Sequence, residues 1–211
     1  MFNNMKKILF ILLILMVNGQ WSMVNGQTAK AVLDKTAATI RNAGDIKAEF
    51  SASTPSGSLS GTVFIHKNML HLTSPNVKCW FDGKTLWTYR KQTNEVNVTT
   101  PTAAEQQSIN PYLFINIYKK GYTYAMRSIN LRGKACHEVT LNATSSSARL
   151  RKMVITIDKS TSYPLSVEMH NAKGGNTVIY ITSCKTRQKF KPSTFSFPAA
   201  EYKNAEIIDL R

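Results

Sequence analysis

Residues 45–66 read DIKAEFSASTPSGSLSGTVFIH, and hydrophobic and polar residues alternate along both halves of this segment. Alternation with a period of two is typical of a β-strand with one buried face. The sequence Pro55-Ser56-Gly57 between the two halves is typical of a tight turn. The segment therefore predicts a β-hairpin, with Ile46, Ala48 and Phe50 on one face of its first strand.

Short apolar segments separated by turns continue this pattern along most of the chain. Four more segments follow up to Val98, and five lie between Tyr122 and Ile181. The segment from Lys185 to Phe197 predicts one or two further strands. The order predicts about eleven strands in a single curved antiparallel sheet, a mainly β fold with helices on one face.

Three segments have the pattern of helices. Apolar residues recur at helical spacing from Thr28 to Ala43, before a glycine that favours helix termination. In the middle of the chain, Thr102 and Glu105 have the spacing of a capping box. Asn110-Pro111 is a second helix start, and the apolar residues after it predict a short helix that covers other apolar surface.

The first 26 residues have the features of a signal peptide. Lys6 and Lys7 precede ten apolar residues, Ile8 to Val17, which is too short for a transmembrane helix of about 20 residues. Cleavage after Gly26 leaves residues 27–211 as one domain. We therefore expect an exported protein, which makes nucleic acid an unsuitable partner.

The chain of 211 residues is basic, with 27 Lys and Arg against 12 Asp and Glu and a formal net charge of +15. Loss of Lys6 and Lys7 with the signal peptide, which contains no acidic residue, lowers +15 by two to +13. Such an excess favours acidic partners or membrane surfaces. Lys185, Arg187, Lys189 and Lys191 alternate along a predicted strand, which predicts either a solvated outer face or a docking face for an acidic partner or anionic lipid heads.

Catalytic and metal-binding patterns are weak. Gly83-Lys84-Thr85 resembles the end of a phosphate-binding loop, but Lys78 occupies the position where that motif needs glycine. His66 and His71 are five residues apart in predicted strands, so they face opposite sides and do not chelate one metal. We expect no enzyme, no metal and no cofactor. The three cysteines leave two possibilities open, one disulfide or three free thiols.

Several motifs together resemble the LolA family of periplasmic lipoprotein carriers, and especially its Bacteroidetes-type versions. These motifs are GTVFIHK at 61–67, DGKTLWTY at 82–89, NEV at 94–96, NPY at 110–112, KKGY at 119–122 and IIDLR at 207–211. The resemblance covers essentially the whole predicted mature chain. It implies an unclosed β-barrel of about eleven strands with a helical lid.

The function that the resemblance implies is transport. The carrier accepts a triacylated lipoprotein from an inner-membrane ABC release complex, shields its acyl chains across the periplasm, and delivers it to the outer membrane, where an acceptor is a further possible partner. We expect a monomer with a hydrophobic cavity. The predicted wall residues are Phe50, Val63, Ile65, Leu70, Leu72, Trp80, Trp87 and Tyr89. The predicted lid contacts are Tyr112, Leu113, Phe114 and Ile117.

In the family an arginine at the end of the second strand holds the lid closed, and Lys67 occupies the matching position here, or His66 if a gap is placed differently. Lysine lacks the rigid multi-donor fork of arginine, so this departure predicts either a weaker latch or a paralogue with a different cargo. Two other functions remain open. One is an envelope-stress sensor of the same fold, although such sensors usually carry a further domain, and the other is a carrier for another amphiphile, such as a glycolipid or fatty acid.

Overall fold

The computed structural model describes residues 21–102, 105–106 and 117–211. These residues form one α-helix, α1 (Trp21–Arg41), and twelve β-strands. The strands are β1 (Asp45–Thr54), β2 (Gly57–His66), β3 (Met69–Thr73), β4 (Val77–Phe81), β5 (Leu86–Arg90), β6 (Glu95–Thr99), β7 (Tyr122–Leu131), β8 (Lys134–Ala143), β9 (Leu150–Asp158), β10 (Pro164–Asn171), β11 (Asn176–Gln188) and β12 (Glu206–Asp209). Short 3-10 helices lie at Ile117–Lys119, Pro192–Phe195 and Ala199–Glu201.

All twelve strands belong to one sheet, in the order β12-β6-β5-β4-β3-β2-β1-β11-β10-β9-β8-β7. Neighbouring strands are antiparallel except β12, which runs parallel to β6. Strands β7 and β12 are the two edges of this sheet, so the barrel is unclosed. The predicted mainly β fold is confirmed, with twelve strands instead of about eleven. The segment after Gln188 was expected to add strands, but it forms two 3-10 helices before β12.

Helix α1 packs against one face of the sheet, which we call the helix face. It ends at Arg41, two residues before the predicted end, and begins at Trp21, before the predicted start at Thr28. Ala29, Leu33 and Ala37 recur every four residues, and all three are buried against side chains of β8 and β9. Their spacing places them on one side of the helix, and the two small alanines allow a close approach to the sheet. No helix in the described part of the chain has the length and apolar character needed to cross a bilayer.

The predicted capping box is confirmed at Thr102. The Glu105 carboxylate accepts a hydrogen bond from the Thr102 backbone N–H at 2.8 Å, and Thr102 Oγ1 accepts one from the Glu105 N–H at 3.3 Å. This reciprocal pair satisfies donors that a helix start leaves without partners. The helix start predicted at Asn110-Pro111 lies outside the described residues.

The family motif at residues 82–89 forms the turn between β4 and β5 and the strand that follows. Asp82 Oδ1 accepts hydrogen bonds from the backbone N–H groups of Lys84 and Thr85 at 2.8 and 2.7 Å. Gly83 has φ +98°, and a Cβ there would lie 2.6 Å from the side-chain nitrogen of Asn68 in the neighbouring turn. The turn itself therefore requires the glycine. The Gly83-Lys84-Thr85 sequence forms the turn that joins the paired strands β4 and β5.

The C-terminal segment, residues 189–205, covers the other face of the sheet, which we call the outer face. Its aromatic rings pack on rings from β2 to β5: Phe190 contacts Phe64, and Phe197 contacts Trp80 and Trp87. We name these rings the outer aromatic cluster. Its members are Phe64, His71, Trp80, Trp87, Tyr89, Phe190, Phe195, Phe197 and Tyr202. The outer face is thus covered by aromatic side chains over β2 to β5.

Candidate functional site

An apolar cavity of about 300 Å³ lies between α1 and the helix face of the sheet. This volume is at the lower end of the range of small-molecule sites, roughly 300–1,000 Å³. The described residues that line it are Leu33, Thr36, Ile40, Ile46, Ala48, Phe50, Val63, Ile65, Leu70, Leu72, Ile117, Tyr118, Ile155, Tyr163, Pro164, Val167, Met169, Ile179, Ile181 and Cys184. They come from α1, from six consecutive strands of the sheet (β3, β2, β1, β11, β10 and β9), from the 3-10 helix at Ile117–Lys119, and from the residue before β10.

Strand register explains why these apolar residues meet. Ala48 pairs with Val63, and Val63 pairs with Leu72, so the three lie side by side across β1, β2 and β3. Ile65 and Leu70 form the next pair along the same face. Directly opposed residues share one face of a sheet, so alternation within each strand produces a continuous apolar wall.

Six of the predicted wall and lid residues line this cavity. They are Phe50, Val63, Ile65, Leu70, Leu72 and Ile117. The lid residues Tyr112, Leu113 and Phe114 lie outside the described residues.

Three predicted wall residues, Trp80, Trp87 and Tyr89, require a correction. The structure places them in the outer aromatic cluster. Trp80 pairs with His71 on β3 and with Trp87 on β5, and it stacks on the His71 ring with centroids 5.1 Å apart. His71 lies between the cavity residues Leu70 and Leu72 in sequence, so its side chain faces away from the cavity. Directly paired residues share a face, so Trp80 and Trp87 also face away from the cavity.

The predicted latch position, Lys67, lies in the exposed turn between β2 and β3 with φ +51°. The prediction that His66 and His71 face opposite sides was wrong, because the turn between β2 and β3 brings both to the outer side of the sheet. His66 is the alternative latch position. Its Nδ1 lies 2.5 Å from Asp45 Oδ1, and its ring packs near Phe195. The role of Lys67 as a latch stays a prediction.

A contact that the sequence did not predict joins the central segment to α1. Tyr118 is 2% exposed, and its hydroxyl donates a hydrogen bond to Asp34 Oδ1 at 2.5 Å. Tyr124 donates a hydrogen bond to the backbone carbonyl of Tyr118. Hydrogen bonds from Lys30 and Tyr118 lower the pKa of Asp34, whereas burial and the nearby Asp34 raise the pKa of Tyr118.

The wall residues on β10 and β11 were also not assigned to the cavity from the sequence. Val167 and Met169, like Ile179 and Ile181, alternate with more polar residues. This signal was available in the sequence, because alternation marks one face of each strand. The helical residues Leu33, Thr36 and Ile40 follow the spacing of one helix side and complete the lining.

The predicted basic strand also requires a correction. All four residues are exposed, but β11 ends at Gln188, so Lys189 and Lys191 follow the strand instead of lying on it. The register between β1 and β11 shifts here, and Arg187 adopts φ +53°. The Phe190 N–H then donates a hydrogen bond to Asp45 Oδ2 at 3.1 Å, which turns the chain toward the outer face.

The three cysteines are free thiols in three different environments. Cys79 lies half-buried in β4, Cys136 is fully buried in β8, and Cys184 lines the cavity. Burial raises the pKa of each thiol. Within residues 21–102, 105–106 and 117–211, no three His, Cys, Asp or Glu side chains are grouped in a way that would hold a metal ion.

The family model described as outer membrane lipoprotein carrier protein LolA matches residues 22–174. The chain belongs to the LolA family. This match includes α1, β1 to β10 and most of the cavity lining. No protein with a curated description matches the sequence significantly.

Solved structures with the same fold share little sequence with this LolA-family chain. An uncharacterized conserved protein from Thermus thermophilus has a TM-score of 0.59 and 12% identity, covering 86% of this chain and 99% of its own. A DUF1329 family protein from Desulfovibrio piger has a TM-score of 0.50 and 11% identity, covering 83% and 98%. MucB in the Pseudomonas aeruginosa MucA/MucB complex has a TM-score of 0.50 and 11% identity, covering 82% of this chain and 62% of that chain.

Proposed function

We propose that this LolA-family protein is a periplasmic carrier and not an enzyme, and that it holds the acyl chains of lipoproteins in the cavity under α1. It receives them from an inner-membrane ABC release complex and delivers them to the outer membrane. The observation that carries the proposal is the apolar cavity between helix and sheet, lined from both halves of the chain. Each buried methylene is worth roughly 0.8 kcal/mol, so an acyl chain has a strong preference for such a site over water.

Export through a signal peptide of residues 1–26 is part of this proposal. Cleavage after Gly26 would shorten α1, which starts at Trp21, to a helix that begins at Gln27. The shortened helix retains Ala29, Leu33 and Ala37, the residues that bury it against β8 and β9. The proposed mature form, residues 27–211, therefore keeps these three buried residues and the helical residues that line the cavity.

The lid in this proposal is the central segment between β6 and β7. Tyr112, Leu113 and Phe114 are its proposed cargo contacts, and Lys67 is a proposed latch. The described end of the segment supports this assignment, because Ile117 and Tyr118 line the cavity and Tyr118 is bonded to α1. Release of cargo requires a lid held by few contacts.

Lys185, Arg187, Lys189 and Lys191 form the proposed docking face, which meets anionic lipid heads at the membrane. Replacing all four by serine should weaken binding to phosphatidylglycerol vesicles, and low salt should strengthen wild-type binding. A matched control removes four exposed charges elsewhere, at Lys84, Lys91, Lys173 and Lys203. Equal loss in both variants would show that net charge, and not this face, determines binding.

The carrier function is tested by identifying the molecule that the protein binds in the cell. The exported protein should be purified from its own periplasm without detergent, and bound molecules identified by mass spectrometry. Acylated lipoprotein supports the proposal. A glycolipid or fatty acid in its place assigns the cavity to another amphiphile, and a stably bound protein without acyl chains favours a regulatory role.

A further inference from the structure

Thr36 is a buried polar residue of the cavity wall, and its hydroxyl has no hydrogen-bond partner. It is 5% exposed, and Oγ1 is fully buried. A helical threonine commonly bonds its hydroxyl to the carbonyl of the preceding turn, but Thr36 does not. Buried polar groups are paired as a rule, so an unpaired hydroxyl in a ligand-sized cavity needs an explanation.

The position of Thr36 is where the apolar interior divides. Leu33 and Ala37 belong to the hydrophobic cluster with β8 and β9, whereas Ile40 and Ala43 belong to a second cluster with β1 and β2. Thr36 lies one helical turn from Leu33 of the first set and one turn from Ile40 of the second, and all three line the cavity. A helical threonine populates two χ1 rotamers, so a rotation about χ1 can turn the hydroxyl toward a ligand in the cavity without moving the backbone.

The remainder of the described lining restricts which polar group suits this hydroxyl. It contains no Asp, Glu, Lys, Arg or His, and the Tyr118 hydroxyl is bonded to Asp34. Burial raises the pKa of Tyr163 and of Cys184, so these surroundings disfavour negative charge. A carboxylate or phosphate here would be buried without a counter-ion, whereas a neutral carbonyl needs only one donor.

We infer that the Thr36 hydroxyl donates a hydrogen bond to the ester carbonyl of a bound acyl chain. The cavity therefore selects neutral acyl esters over free fatty acids. This inference rests on the proposed carrier function and names the linkage that the carrier recognises. Two sources supply that chemistry, the diacylglyceryl group of a lipoprotein and a phospholipid.

The experiment compares Thr36→Val, which keeps the shape of the side chain, with wild type. The probes are a fluorescent diacylglyceryl-cysteine peptide, its ether-linked analogue without carbonyl oxygens, dioleoyl phosphatidylethanolamine and palmitate. Loss of one hydrogen bond should lower affinity for the ester probes about tenfold and leave the ether analogue unchanged. Thr36→Ser, which keeps the hydroxyl, should bind the ester peptide as wild type does.

Thr39→Val is the matched control, because Thr39 is on the same helix and does not line the cavity. The ester probe that wild type binds more tightly identifies the source, and Thr36 dependence with either one supports the inference. Unchanged ester binding by Thr36→Val overturns it and leaves the carrier function standing. Palmitate binding as tight as ester binding also overturns it. A wild-type protein that binds none of the probes overturns the carrier function and, with it, this inference.

Discussion

The hydroxyl of Tyr118 donates a hydrogen bond to the Asp34 carboxylate across 84 residues of sequence, with 2.5 Å between the two oxygens. The other carboxylate oxygen of Asp34 accepts a hydrogen bond from Lys30 at 2.7 Å. This small network joins the end of the central segment to the middle of α1, beside the cavity. These hydrogen bonds therefore attach the end of the proposed lid segment to α1.

Tyr118→Phe should loosen this attachment and leave the ring in place. Loss of a hydrogen bond to a charged group costs about 1.5–3 kcal/mol, less where the carboxylate remains solvated. We expect faster hydrogen exchange of residues 117–119 and faster release of an acylated probe. Tyr180→Phe on β11 is the control. If hydrogen exchange and probe release are unchanged in Tyr118→Phe, the Tyr118–Asp34 bond does not hold the lid segment in place.

Val63→Phe should block the cavity, because Val63 lies in its wall opposite Ala48 and Leu72. Overfilling a packed site costs about 1–3 kcal/mol, which corresponds to a loss of roughly five- to 150-fold in affinity. Binding of a fluorescent acylated peptide measures the effect. Thr62→Phe changes the neighbouring residue on the outer face and should bind normally. Equal weakening by both would argue against the cavity as the acyl site.

Phe195→Ala should destabilise the fold without changing the binding site. Phe195 belongs to the outer aromatic cluster, is 1% exposed, and packs on Phe190 of that cluster and on His66 beside it. Removal of a buried phenyl ring costs about 3–5 kcal/mol. Denaturant unfolding should show this loss, while cargo affinity measured well below the melting temperature stays that of wild type. A large affinity loss at that temperature would link the outer face to the cavity.

Acid should weaken the fold through Asp158, which is 4% exposed. Hydrogen bonds from the Ser160 hydroxyl and N–H and from the Thr161 N–H, together with Lys134, lower its pKa to about 2 despite burial. The folded pKa is below the unfolded value of about 3.9, so this stabilisation is full above pH 4 and disappears as the pH falls to 2, a loss of about 2 kcal/mol.

The Asp158→Asn variant should lose stability at pH 7 and show a flatter decline between pH 4 and pH 2. Asp209→Asn is the matched control. The Asp209 pKa is also lowered to about 2 by Arg211, but its side chain is half exposed, and solvent screens the pair. An acid decline of the same steepness in wild type and Asp158→Asn would exclude this residue as the cause.

Local patterns in the sequence were sufficient for most of the fold. Alternation from Ile46 to Ile65 predicted the first hairpin, and the spacing of Thr102 and Glu105 predicted a capping box that the structure contains. Each of these signals depends on residues close together in the chain. Phe50, Val63, Leu70 and Leu72 alternate with other residues in the same way, and all four line the cavity.

The face of Trp80 was not predictable in this way. Apolar or aromatic side chains lie on both faces of the sheet near β4, so hydrophobicity does not show which face a strand residue takes, and a change of one residue in register reverses the assignment. The pairing of Trp80 with His71 determines it. The Tyr118–Asp34 bond and the register shift at Arg187 depend likewise on contacts between distant segments, which no local pattern contains.

In the proposed carrier, the cavity between α1 and the sheet would couple cargo binding to the lifetime of the protein. A ligand that fills this cavity binds the folded chain and not the unfolded one, so occupancy raises the free energy of unfolding by mass action. Loaded molecules then open less often than empty ones. A protease that cleaves only unfolded chains would degrade carriers without cargo first. The amount of carrier in the cell would then follow the supply of cargo, with no additional regulatory protein.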